Sequence, residues 1–122
     1  MVTVMVVEDN PMNMELTVDL LQSDGYDVLQ AEDGPMALDL LKENKVDLIL
    51  LDIQLPVMDG LELLDKLKKS SQTKDIPVIA LTAYSMRGDK DKFINAGCSG
   101  YISKPIDISE FRNAVASYVN NK

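Results

Sequence analysis

Between Val46 and Gly60 the chain reads Val-Asp-Leu-Ile-Leu-Leu-Asp-Ile-Gln-Leu-Pro-Val-Met-Asp-Gly, and this stretch restricts the fold more than any other. Leu48 to Leu51 is an unbroken apolar run bounded by aspartates. It is too short for a stable helix, and a strand with apolar side chains pointing both ways has to be covered on both faces. Sheets of that kind are parallel and lie between layers of helices. Asp52 closes the run, at the strand end where open α/β sheets place their ligands. Pro56, Asp59 and Gly60 then interrupt regular structure before Leu61, Leu64 and Leu67 resume at helical spacing.

Strand-like and helix-like segments alternate around this stretch. Val2 to Val7 is a β-branched run ending in Glu8-Asp9. Asn10 and Pro11 open a first helix whose core face reads Leu16, Thr17, Leu20 and Leu21, with Met14 and Val18 off that face, and Ser23-Asp24-Gly25 stops it. Residues 27–31 form a half-polar strand, and Gly34-Pro35 opens a helix carrying Ala37, Leu38, Leu40 and Leu41. Pro77 to Leu81 is a second run apolar in both directions, ending at Thr82-Ala83. A fourth helix over residues 86–96 is the weakest, with Gly88 and few apolar anchors. Residues 100–103 make a short strand, and Asp107 with Glu110 opens a last helix striped by Ile108, Phe111, Val115, Tyr118 and Val119. Strands one, three and four are the apolar ones and belong in the centre; two and five belong at the edges. The pattern predicts an α/β fold of the flavodoxin-like kind: a (βα)5 doubly wound parallel sheet in the order 2-1-3-4-5, helices on both faces, and one domain over 1–122.

Composition then narrows the chemistry. A net charge of −8 argues against a nucleic-acid or anionic-membrane partner, because the long-range field repels phosphate. No run is long enough for a membrane span and no basic leader opens the chain, so the expected location is the cytoplasm. With no histidine and only Cys98, the nitrogen and sulfur ligands of zinc-type sites are missing, and any metal must be a hard, oxygen-bound ion such as Mg2+. Cys98, in a turn, reads as a small filler.

The strand ends collect the remaining chemistry. Glu8 and Asp9, then Asp52, Thr82 and Lys104, each follow a strand and face one rim. Two carboxylates roughly 5 Å apart at an effective dielectric near 20 repel by about 3 kcal/mol. A divalent cation relieves that repulsion and lets a phosphoryl group approach, while Lys104 and the Thr82 hydroxyl supply donors for its oxygens.

Glu8-Asp9, Asp52 within Asp-Ile-Gln-Leu-Pro-Val-Met-Asp-Gly, Thr82-Ala83 and Lys104-Pro105 together resemble the signature of response-regulator receiver domains, the CheY-like proteins of two-component signalling. The resemblance implies that Asp52 is the phosphoacceptor and becomes an aspartyl phosphate, with Lys104 and Thr82 assisting. It implies a Mg2+ site, open also to Mn2+, made by Glu8, Asp9, Asp52 and the backbone carbonyl of Gln54. It further implies a cis Lys104–Pro105 bond, a switch formed by Thr82 and Tyr101, and control of phosphoryl lifetime by Gln54, Ala83 and Tyr84. Where this chain has Glu8 the family often has aspartate, one methylene shorter.

The implied function is a phosphorelay switch whose output surface is the fourth helix, fifth strand and fifth helix. Since the chain has no histidine, the phosphohistidine donor must be a separate sensor kinase or phosphotransfer protein. The sequence carries no output domain, so the signal must pass to a downstream protein partner, and no conventional turnover is expected. The competing reading is a Mg2+-dependent aspartate-nucleophile phosphohydrolase. Such enzymes favour a second acid two residues after the nucleophile, where this chain has Gln54. An FMN binder of the same fold class would need a phosphate loop after strand one, where Glu8-Asp9-Asn10 would repel it.

Overall fold

A computed structural model of the chain describes residues 2–55, 57–82 and 92–119. Five parallel strands form one sheet in the order β2-β1-β3-β4-β5: β1 (Thr3–Val7), β2 (Asp27–Ala31), β3 (Leu48–Asp52), β4 (Val78–Thr82) and β5 (Gly100–Ser103). The helices are α1 (Pro11–Ser23), α2 (Gly34–Glu43), α3 (Gly60–Lys69), the helical residues 92–95, labelled α4, and α5 (Ile108–Val119). Every residue of β3 and β4 is buried, whereas the edge strands β2 and β5 are only partly so. The polarity of the strands thus sorts them into centre and edge, as an apolar run covered on both faces requires.

Alternation along each strand divides the core in two. Met5, Val7, Ile49, Leu51, Val78 and Ala80 point to the side covered by α2, α3 and Phe93 of α4. Val4, Val6, Leu48, Leu50, Ile79, Leu81 and Ile102 point to the side covered by α1 and α5. A period of two in the strands therefore gives two separate hydrophobic layers, and helices must lie on both.

The phase of α1 differs from the sequence expectation. Met14, Thr17, Val18, Leu20 and Leu21 are the buried residues, and Leu16 is 44% exposed. The i, i+3, i+4, i+7 series that meets the sheet starts at Met14, so Met14 and Val18 are core and Leu16 lies toward solvent. Thr17 is tolerated inside because its hydroxyl donates to the Asn13 carbonyl at 2.8 Å. In α5, Phe111, Val115 and Val119 are buried, while Ile108 at the helix start is 49% exposed. Residues 86–91 of the expected fourth helix, and Pro56, lie outside the described residues.

Helix starts are fixed by side-chain caps: Asn10 and Asp107, to which the sequence pointed, and Asp33 and Asp59, which the structure adds. The Asn10 side chain accepts from the Met12 and Asn13 amides, Asp33 from Met36, Asp59 from Glu62 and Asp107 from Glu110. Each cap satisfies an otherwise orphaned N–H of a first turn and so determines where the loop from a strand end turns into helix. These loops surround the rim at which Asp52 ends.

Candidate functional site

The rim is assembled by backbone geometry first. The Glu8 amide donates to the Ala31 carbonyl at 3.0 Å, extending the β1–β2 ladder by one residue, and the Asn10 cap turns the chain away immediately afterwards. Glu8 and Asp9 are thereby left at the crevice where the strand order reverses. Asp52 is the last residue of β3 and its carboxylate accepts from the Gln54 amide at 2.9 Å. Gly60 allows the following loop to fold back: a Cβ there would lie 2.5 Å from the Ile53 Cα and 2.9 Å from the Asp52 carbonyl oxygen. Thr82 ends β4 fully buried, and the Lys104 amide donates to its carbonyl at 2.8 Å. The Lys104–Pro105 bond that follows is cis.

Side chains from three strand ends then converge. Lys104 Nζ lies 2.8 Å from Glu8 Oε1 and 3.0 Å from Asp52 Oδ2. Carboxylate oxygens of Glu8, Asp9 and Asp52 all lie within 4.8 Å of one another, with Glu8 and Asp52 buried and Asp9 exposed. Among the described residues, one ammonium thus bridges two members of a cluster of three carboxylates. Burial raises the Glu8 pKa, and contact with Asp52 raises it further; together they outweigh Lys104 and push it up to about 7. Burial by itself would lower the Lys104 pKa, but its contacts with Glu8 and Asp52 prevail and raise it. Under-compensated negative charge in a desolvated crevice is what a cation-accepting site requires, and three hard oxygen donors suit an ion such as Mg2+ rather than a soft metal.

The remaining sequence candidates fall in three places. Gln54 is exposed and touches Asp52 through its backbone amide. Tyr101 is half-buried on β5, its ring centroid 6.4 Å from that of Phe93. Ala83 and Tyr84 lie outside the described residues. Ser103 was not singled out by the sequence, yet its Oγ lies 2.9 Å from the Tyr101 hydroxyl. The available signal was their i, i+2 spacing on one strand. Cys98 is buried, and burial pushes its thiol up to about 11, consistent with a packing role.

The response regulator receiver domain model matches residues 4–116, and the chain belongs to that family. It is a receiver domain, the phosphoacceptor switch of response regulators. It is 45% identical over 119 residues to the polar-differentiation response regulator DivK of Brucella anthropi, covering 98% of this chain and 97% of the relative. Among solved structures it superposes on a chemotaxis protein CheY4 of Vibrio cholerae with a TM-score of 0.91 at 28% identity, covering 97% of this chain and 98% of the other. It also superposes on the receiver domain of a sensor histidine kinase from Pseudomonas aeruginosa, solved with a magnesium ion in the active-site cleft. That match has a TM-score of 0.89 at 31% identity and covers 97% of each chain.

Proposed function

We propose that Asp52 is the residue that takes the phosphoryl group, and that the donor is the phosphohistidine of a sensor histidine kinase or a histidine phosphotransfer protein. The observation that carries this reading is the Lys104 bridge between Asp52 and Glu8 at the switch-point crevice. An Asp52 oxygen attacks phosphorus; a P–O bond forms as the P–N bond to the donor breaks, and the leaving imidazole keeps the electron pair and takes up a proton. Lys104 already sits on Asp52 Oδ2 and is positioned to pair with a phosphoryl oxygen there. The Thr82 hydroxyl, at the end of the neighbouring strand, supplies a further hydrogen bond.

Glu8, Asp9, Asp52 and the Gln54 carbonyl are the groups that would hold a divalent ion, Mg2+ or in its place Mn2+. When bound, that ion offsets the charge of the carboxylates and of the incoming phosphoryl oxygens.

The donor approaches over α1 and the loop before α5. A groove of about 370 Å3 there is lined by Asn13, Leu16, Lys104, Pro105 and Ile106, with Met12 exposed beside it in sequence. Thr82 and Tyr101 relay the modified state to α4, β5 and α5, where a downstream protein partner binds. Residues 1–122 act as one receiver unit in the cytoplasm, without nucleic acid or membrane as partner. The phosphoryl group stays on the chain until hydrolysed, so the protein performs its own phosphorylation and dephosphorylation and no conventional turnover.

Incubation with acetyl phosphate, with and without Mg2+, followed by intact mass measurement tests this. One phosphoryl adduct should form with Mg2+, fall sharply without it and vanish in Asp52→Asn. A full adduct on Asp52→Asn would move the acceptor elsewhere.

A further inference from the structure

The contact between the Tyr101 hydroxyl and Ser103 Oγ, at 2.9 Å, has no part in the chemistry above. The two residues stand at i and i+2 on β5, so both side chains leave the same face of the sheet. Two residues of strand span roughly 6.6 Å, close to the reach of a tyrosine hydroxyl from its own Cα. The ring therefore leans along β5 toward the strand end instead of standing off into solvent. Its half-burial, its place against the α2–α4 side of the core and its neighbour Phe93 agree with that orientation. A different χ1 well would carry the hydroxyl several ångströms from Ser103, which makes the contact specific to one rotamer.

Ser103 is itself fastened to the rim. In the sheet register it is the partner of Thr82, and residues so paired share a face. The next residue is Lys104, whose amide holds the Thr82 carbonyl and whose ammonium holds Glu8 and Asp52. The serine hydroxyl thus lies between the phosphoryl-binding end of the sheet and the aromatic ring that faces α4.

We infer that Ser103 is a positioning residue: its hydroxyl holds Tyr101 in the rim-leaning rotamer and so sets how strongly a phosphoryl group on Asp52 is coupled to the outer part of β5. This rests on the phosphoacceptor reading. Valine and threonine at position 103 have nearly the same shape and differ by the hydroxyl, so Ser103→Val and Ser103→Thr form the comparison.

The test is a titration of the full chain with beryllofluoride, a phosphoryl analogue, in the presence of Mg2+. It is read by NMR of 13C-labelled tyrosine with the Tyr101 signal assigned through Tyr101→Phe. Ser103→Thr should keep the wild-type affinity and Tyr101 signal. Ser103→Val should shift that signal in the free protein and weaken beryllofluoride binding about threefold, the size expected from one half-buried hydrogen bond. In a Tyr101→Phe background the two substitutions should behave alike. Equal behaviour in the wild-type background, tighter binding by Ser103→Val, or an undiminished difference in the Tyr101→Phe background overturns the proposal alone. A wild-type protein that takes no beryllofluoride overturns the phosphoacceptor reading together with it.

Discussion

Two aspartates bracket β3, and the chain treats them in opposite ways. Asp47, just before the strand, exchanges two bonds with Thr3: its amide donates to the Thr3 carbonyl at 2.8 Å, and its carboxylate accepts from the Thr3 amide at 2.8 Å. Asp52, at the far end, is buried beside Glu8 and Asp9 with Lys104 bridging. At one end a carboxylate finishes a ladder and stabilises the sheet. At the other, among the described residues, three carboxylates are gathered around one ammonium, which costs stability and suits the crevice to a cation. The same residue type completes a hydrogen-bonded pair at one end and adds to crowded charge at the other because its neighbours differ.

The largest expected effect comes from removing the bridge. The Lys104 side chain is 18% exposed and those of Glu8 and Asp52 are 1% and 6% exposed, so this is a mostly buried pair of contacts. Lys104→Met in metal-free buffer should cost about 3 kcal/mol, because buried carboxylates lose their counter-charge; a urea midpoint equal to wild type would show that the bridge contributes nothing.

Next comes the pair of aspartates itself. Asp47→Ala should cost about 1.5 kcal/mol, the loss of a charge-assisted hydrogen bond, while phosphorylation by acetyl phosphate stays at the wild-type level. Asp52→Asn should instead stabilise the metal-free protein by about 1 kcal/mol through relief of repulsion, while abolishing the adduct. Thermal unfolding of both variants in chelator checks the opposite signs, and two losses of equal size would erase the distinction between the strand's ends.

The smallest effect is a pH dependence. Glu8 is raised from 4.5 to about 7 in the folded chain, so between those values the folded state holds the proton more tightly than the unfolded one. Stability from this group therefore falls as pH rises from about 4.5 to about 7, the reverse of a carboxylate whose pKa is depressed. Lys104 is raised, so its contribution is intact throughout this window and is lost only above its ordinary range. In chelator, moving from pH 6.5 to pH 7.5 should lower the urea midpoint by roughly half a molar, and Glu8→Gln should flatten that slope.

Much of the site was legible because its residues stand at strand ends, and strand ends can be read from where apolar runs stop. Leu48–Leu51 fixes Asp52, Val78–Leu81 fixes Thr82, and the polarity of residues 27–31 and 100–103 assigns the edges. The phase of α1 was less legible, since Leu16 and Met14 are both apolar and either series reads as a core stripe. Ser103 was missed because its i, i+2 spacing from Tyr101 puts the two on one face but does not say which way the ring leans.

The sequence by itself determined the alternation of strands and helices, the order 2-1-3-4-5, the helix caps and the residue types gathered at the rim, because burial on both faces and capping are local demands that each segment states for itself. Tertiary structure alone decided that an ammonium 96 positions from Glu8 bridges it to Asp52, that Met14 rather than Leu16 enters the core, and that Tyr101 leans onto Ser103. Those are facts of distance between segments, and they arise only once the sheet has fixed where every strand ends.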